Sequence, residues 1–427
     1  MAGPTPFLRN RWFRILGVSF VMYVLSYMDR TNIAMAIPAM QGELGLTPSA
    51  MGLATGMFFW GYIVLQIPAG RLAGVWSAKR VIGILLVFWS LISFTTAFVR
   101  TEAELFANRL ALGISEGGVL TCVIVLIRAW FTRAERARAN TVFLLSLAVG
   151  PLIANPVSGW IITFSGWRWM FVLEAAPGLL WGIVWWLAID DDPRTAAWLD
   201  PAERAALVGT LEAERAEIAP QAGHWLATLL HPAVLLLALY NFLALMAEWG
   251  VQYWLPSVLK DTGLPISTVG MLAAIPYVLG IAMMIAVAYS SDRLGERKWH
   301  MVATSALAGV FLLALPLGGA GTFGLICFLT LSIGAFMGRY GPFWTLPTGL
   351  LPPAVAGVGI GLINGAGNLG GTVGPYFFGT LRTEFGDFKL ALAAAGVSLI
   401  LSSLAALPIR AARKPELQQA VSAAATL

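Results

Sequence analysis

Residues 21–40 read VMYVLSYMDRTNIAMAIPAM. Apart from Asp29 and Arg30 the run is apolar or weakly polar over about the 20 residues that a helix needs to cross a bilayer core. The rest of the chain is written in the same way. Of its 427 residues, 58% are hydrophobic and 11% charged, with a mean hydropathy of +0.77. Soluble domains carry about 25% charged residues. The composition therefore points to an all-α membrane protein. Twelve runs of spanning length follow one another, at 12–38, 50–72, 81–99, 103–128, 140–164, 168–189, 232–257, 267–289, 300–318, 322–350, 354–380 and 388–410. Gly and Pro interrupt several, which helices in lipid tolerate where neighbours satisfy the freed backbone groups.

The longest polar stretch, residues 190–225, falls between the sixth and seventh runs. It divides the chain into a six-helix N-terminal bundle over 1–189, a linker over 190–231 and a six-helix C-terminal bundle over 232–427. The loop AGVWSAKR, 73–80, aligns with SDRLGERK, 291–298, with Gly74 opposite Asp292, as an internal duplication would leave them. Nineteen of the 27 basic residues, among them Arg9, Arg71, Arg136, Arg293 and Arg410, collect on one side of these spans. Lys and Arg concentrate in cytoplasmic loops, so both termini and the linker are expected inside a cell (inner) membrane. That bias accounts for the net charge of +5 without nucleic acid. The basic N-terminus resembles a secretory signal, but its apolar run continues into the first span and is expected to be retained. Cys122 and Cys327, both within spans, read as packing residues.

Ionised side chains cost roughly 2.5–3.5 kcal/mol each at the bilayer centre on insertion scales, and mark function by default. Six lie deep: Asp29 and Arg30 in span 1, Arg109 and Glu116 in span 4, Glu248 in span 7 and Arg339 in span 10. Glu174, in span 6, is nearer an end and counts for less. Arg109 and Glu116, seven residues apart, share one helical face about 10 Å apart; Asp29 and Arg30 diverge by about 100° and must face different surroundings. Burial favours the neutral form of a carboxylate and a neighbouring cation its charged form, a balance that suits loading and release of a proton. We expect Asp29 and Glu116 to carry protons, Arg30 to hold an anion through its planar fork, and Arg109 to sit beside Glu116. Arg339 either receives a second anionic group or is neutralised by Glu248. Tyr27, Tyr62, Trp249, Tyr253, Tyr340 and Trp344 are candidate cavity aromatics, and Asn364 and Asn368 lie one turn apart in span 11.

SYMDRTNIA (26–34), NRLALGISEGG (108–118), WFTRAERARA (130–139), GWRWMF (166–171), YWLPSVLK (253–260), SDRLGERKWH (291–300) and GPFWTLPTGLLP (341–352) together resemble the major facilitator superfamily over roughly residues 12–410. Within it they resemble the anion:cation symporter family of sugar-acid, phthalate and tartrate permeases. The resemblance implies two pseudo-symmetric six-helix bundles with spans 1, 4, 7 and 10 around a central cavity. All six deep charges lie on those spans. It further implies proton-coupled import of a small organic carboxylate by alternating access. It points the same way for Asp29, Arg30, Arg109 and Glu116, and gives Tyr27, Trp344 and Asn364 to substrate recognition. The chain departs from the pattern at Gly74, where an Asp is usual, and at Glu248 and Arg339, where neutral residues are.

Export of drugs by the same fold is the alternative; it would suit acids with few arginines, whereas Arg30, Arg109 and Arg339 favour an anion. An intramembrane enzyme would need a nucleophile, base or metal set, but the only histidines, His224, His231 and His300, fall in loops or at span ends. GAGNLG, 365–370, fits a dinucleotide pattern without the preceding strand, and no Walker A motif is present. No cofactor is expected, protons serving as the coupling ion, and the protein is expected to act as a monomer.

Overall fold

The computed structural model describes residues 10–216, 229–315, 321–351 and 353–409. Arg9, His224 and Arg410 lie outside them. A π-helical turn, Trp12–Gly17, leads into α1 (Val18–Thr31), and α2 (Ile33–Leu44) continues the same pass with only Asn32 between. α3 (Pro48–Leu72) and α4 (Ala78–Thr95) are the second and third passes; α5 (Glu102–Glu116) and α6 (Val119–Trp130) make the fourth. α7 (Arg133–Leu144) and the first part of α8 (Ser146–Ala188) make the fifth, and the rest of α8 the sixth. After α9 (Pro201–Ala216) come α10 (Pro232–Lys260), α11 (Ile266–Leu294) and α12 (Lys298–Ala314). α13 (Thr322–Gly338) with α14 (Tyr340–Leu350), α15 (Pro353–Phe385) and α16 (Lys389–Ala406) complete twelve passes.

Local sequence sets the boundaries. Thr47 accepts a hydrogen bond from Ala50 N with Pro48 at the first helical position, and Thr101 with Glu104 forms a capping box on α5. The fifth and sixth passes part at Gly166, whose φ of 81° is left-handed backbone that only glycine adopts freely. Among the described residues seven helical stretches are long and apolar enough to cross a membrane; two of them, 48–98 and 133–188, each hold two passes.

The face bearing 190–216 is the linker face, and the opposite one is the far face. On the linker face Asp190 accepts from Trp198 Nε1 at 2.7 Å, and Trp198 stacks on Trp130 with centroids 5.2 Å apart. Arg136 pairs with Glu214 of α9 at 2.9 Å, and Arg11 with Glu135 at 2.5 Å. Gly74 leaves the loop after α3 without a carboxylate. Asp191, from beyond α8, supplies one instead: it accepts from Lys79 N at 2.7 Å and Ser77 Oγ at 2.5 Å at the start of α4. In the second half Asp292 pairs locally with Arg297.

The halves meet chiefly along α3 with α15 and α8 with α11. Near the far face Ser49 N donates to Thr383 Oγ1 at 3.1 Å, and Ser49 Oγ lies 3.0 Å from Thr380 Oγ1. One turn on, a Cβ at Gly52 would collide with the carbonyl of Pro375, so that backbone approach requires glycine. Deeper, Asn155 Nδ2 donates to Ala273 O at 3.1 Å across α8 and α11.

Candidate functional site

Asp29 and Arg30 point into different surroundings, as adjacent helical residues must. Asp29 accepts a hydrogen bond from Ser93 Oγ of α4 at 2.7 Å. Arg30 faces α5 and pairs with Glu116, Nη2 and Nε lying 3.0 and 3.2 Å from Oε2. Ser26 Oγ donates to the same oxygen at 3.0 Å. The guanidinium carbon sits 4.7 Å from the Tyr27 ring centroid and 5.0 Å from those of Phe58 and Tyr62. Each such contact is worth roughly 0.5–2 kcal/mol. The three rings therefore hold the guanidinium in place independently of its carboxylate.

Arg109 makes no direct salt bridge to Glu116 but stands within electrostatic reach of it, and donates to the carbonyl of Arg30 at 3.3 Å, while its Nε and Nη1 have no hydrogen-bond partner. It is fully buried, 5.4 Å from the Phe58 ring centroid. The reason is rotational: Arg30 already occupies the Glu116 carboxylate from α1, and the Arg109 fork is turned toward the α1 backbone.

The second half repeats the motif with the roles of the helices exchanged. Arg339, between α13 and α14, pairs with Glu248 of α10 at 3.5 Å and reaches Asn241 Oδ1 at 3.4 Å. Its guanidinium lies 4.4–5.7 Å from the rings of Phe336, Tyr340, Phe343 and Tyr240. Tyr340 Oη donates to Glu248 Oε1 at 2.5 Å. Of the two readings of Arg339, neutralisation by Glu248 is the one this conformation adopts. Each half thus buries one arginine in an aromatic cage against one glutamate.

Between the two pairs, Trp249 stands 6.0 Å from Tyr27, 4.8 Å from Phe59 and 5.5 Å from Tyr253, centroid to centroid. Tyr253 Oη donates to Arg30 O at 3.3 Å, joining the halves. A cavity of ≈ 30 Å³ runs beside this bridge, lined by Tyr27, Glu248, Gln252, Tyr277, Phe336 and Tyr340 among others. That is room for about one water. Asn368 is buried and its Nδ2 lies 3.4 Å from Gln66 Oε1 of α3. Asn364 is half-buried one turn away. Trp344 packs edge-on against Phe343, at 4.9 Å, and is not among the cavity residues.

Sequence reasoning missed Gln252, Tyr277 and Ser26. Gln252 follows Glu248 by four residues, the spacing that places two side chains on one helix face, and that signal was available. Tyr277 carries no charge to mark it within α11. Glu174 was underweighted: it is buried at 5% exposure and accepts from Ser158 Oγ at 2.7 Å. No group of His, Cys, Asp and Glu suited to a metal ion occurs among the described residues.

The family model described as Major Facilitator Superfamily matches residues 19–375. A putative tartrate transporter of Agrobacterium vitis is 32% identical over 410 residues, covering 94% of each chain. A quinolone resistance transporter of Acinetobacter baumannii is 30% identical over 396 residues, covering 90% of each. Among solved structures, a D-xylose-proton symporter superposes with a TM-score of 0.74 at 16% identity, over 93% of this chain and 98% of that one. The helical passes, the paired bundles and these matches agree: the chain is a multi-pass membrane transporter, not an enzyme, and belongs to the Major Facilitator Superfamily.

Proposed function

We propose that the chain is a proton-coupled symporter that imports a small organic carboxylate by alternating access. The observation that carries this reading is the Arg30–Glu116 pair, 3.0 Å apart inside a ring of aromatics. A substrate carboxylate can take the Arg30 fork only if Glu116 gives it up. A proton bound by Glu116 removes the competing charge, and the substrate anion then restores a buried ion pair. Proton and anion therefore enter together, and each leaves more readily once the other has gone. Asp29, held by Ser93 on the other side of α1, is the second proton carrier; Arg109, with two free nitrogens, is a further donor to the bound anion. Tyr27, Tyr62 and Trp249 shape the surroundings of the anion, with Trp344, Asn364 and Asn368 extending the recognition surface. No cofactor takes part, and one chain suffices.

The relative named as a tartrate transporter supports a hydroxy acid as substrate class. With Arg339 neutralised by Glu248 at 3.5 Å, a second anionic group would be received only after Glu248 is protonated. The positive-inside bias puts the linker face and both termini in the cytoplasm, hence the far face outside the inner membrane. The relative named as a quinolone resistance transporter favours a second reading, export of organic compounds.

Uptake into proteoliposomes separates the two. With a pH gradient, acid outside, the intact chain should accumulate tartrate or a related sugar or aromatic acid above equilibrium. Glu116→Gln should retain exchange while losing accumulation. Accumulation of a cationic drug instead, or undiminished uphill uptake by Glu116→Gln, would overturn the reading.

A further inference from the structure

Behind the central site, between α1, α2, α4 and α8, lies a second cluster of buried polar side chains. Glu174 of α8 receives Ser158 Oγ at 2.7 Å on one oxygen, while Oε2 has no partner. Asn32, wholly buried at the junction of α1 and α2, extends its amide to the Glu174 carboxyl. Asp29, one turn earlier, keeps Oδ2 unpartnered and lies within electrostatic reach of Glu174. Each buried polar atom left unsatisfied costs roughly 1–3 kcal/mol. The unpartnered Asp29 Oδ2 leaves this cluster of two carboxyls short of donors.

Charge counting says what makes up the shortfall. Among the described residues of the first half the buried side chains of Asp, Glu, Lys and Arg are Arg30, Arg109, Asp29, Glu116 and Glu174. Arg30 is taken by Glu116, and Arg109 is the one remaining cation for two carboxyls. Toward the cluster α4 presents Ser93, which donates to Asp29, and α5 carries Arg109 and Glu116 within electrostatic reach of Asp29. The charged residues of α2 and α11 lie away from it, Glu43 at the far face and Asp292 and Arg293 at the linker face. An unpaired carboxylate in a dry interior takes up a proton rather than remain charged. Glu174, farthest from both arginines in the hydrogen-bond network, is where that proton belongs. It also lies seven residues beyond Trp167, about 10 Å in from the far face, between that face and Asp29.

We propose that Glu174, with Asn32 and Asp29, forms a second proton-binding site off the central cavity, holding one proton in this conformation and sharing it with Asp29. The inference rests on the proton coupling proposed above and adds a third carboxyl to it. The proton on Glu174 Oε2 passes to Asp29 Oδ2, one O–H bond breaking as another forms, and Glu174 is refilled from the far face.

Infrared difference spectra of the purified, substrate-free chain test this between about pH 5 and about pH 9. The intact protein should show a protonated-carboxyl band that persists at neutral pH. Glu174→Gln should delete it, Glu174→Asp should keep it at a shifted frequency, and Asp29→Asn should shift it without deleting it. Equal thermal unfolding of the variants excludes a folding defect. The proposal is overturned if no such band exists, if it survives in Glu174→Gln, or if added sodium removes it by taking the site as a cation. Because no substrate is present, these outcomes are independent of the uptake assay, whose failure would remove the symport reading alone.

Discussion

At the residue scale the arrangement turns on two caged arginines with unequal freedom. Arg30 is held by three rings as well as by Glu116, and Arg339 by four rings as well as by Glu248. Removing one partner of a buried pair costs about 3–5 kcal/mol because the other charge is stranded. Arg30→Lys retains the charge but loses the planar fork and the stacking, so anion affinity should fall by about 100-fold, ~2.7 kcal/mol, in an equilibrium binding assay. Affinity within about threefold of the intact chain would remove Arg30 from the anion site. Arg339→Gln discriminates substrate classes: with Glu248 as its partner, it should weaken mono- and dicarboxylates alike by leaving that glutamate unpaired. A selective loss of dicarboxylates would restore Arg339 as a second anion clamp.

At the element scale the helices are joined by caps and ties whose loss is local. Asp191 closes the N-terminus of α4 from the far end of α8. Carboxylate caps contribute about 1 kcal/mol, so Asp191→Ala should lower the unfolding temperature by a few degrees while leaving substrate affinity intact. On the far face, hydrogen bonds from Trp167 Nε1 at 2.6 Å and from Arg168 hold the Glu43 carboxyl below its usual range. A depressed value means the tie contributes stability above the ordinary glutamate range and loses it as pH falls through the folded value. The intact chain and Glu43→Gln should therefore differ in thermal stability at neutral pH and converge in acid. Most of these elements were legible beforehand. Hydropathy located the long apolar helices. What escaped was rotation about helix axes. Arg30 and Arg109 were both plausible partners for Glu116, and only the packing of α1 against α5 decides between them. Glu174 was discounted by its distance along the span, whereas its burial comes from Ser158 across the turn at Gly166.

At the scale of the whole molecule the alternating access proposed above would have the two bundles open and close. Contacts near the far face are made by short side chains and bare backbone: Ser49 with Thr380 and Thr383, and Gly52 against Pro375. The aromatic bridge of Tyr27, Trp249 and Tyr253 lies deeper and joins the halves around the ≈ 30 Å³ cavity. Alternating access requires the α3–α15 seam to part whenever the far face admits substrate. The Ser49 and Thr380 oxygens are 3.0 Å apart, so cysteines at both positions have side chains within disulfide reach. Oxidation of the Ser49→Cys, Thr380→Cys chain should stop transport, and a reductant should restore it. Substrate should still bind from the linker face, so binding and transport should separate. Full transport by the cross-linked protein, with the disulfide verified by mass, would mean that the far-face seam does not open during the cycle.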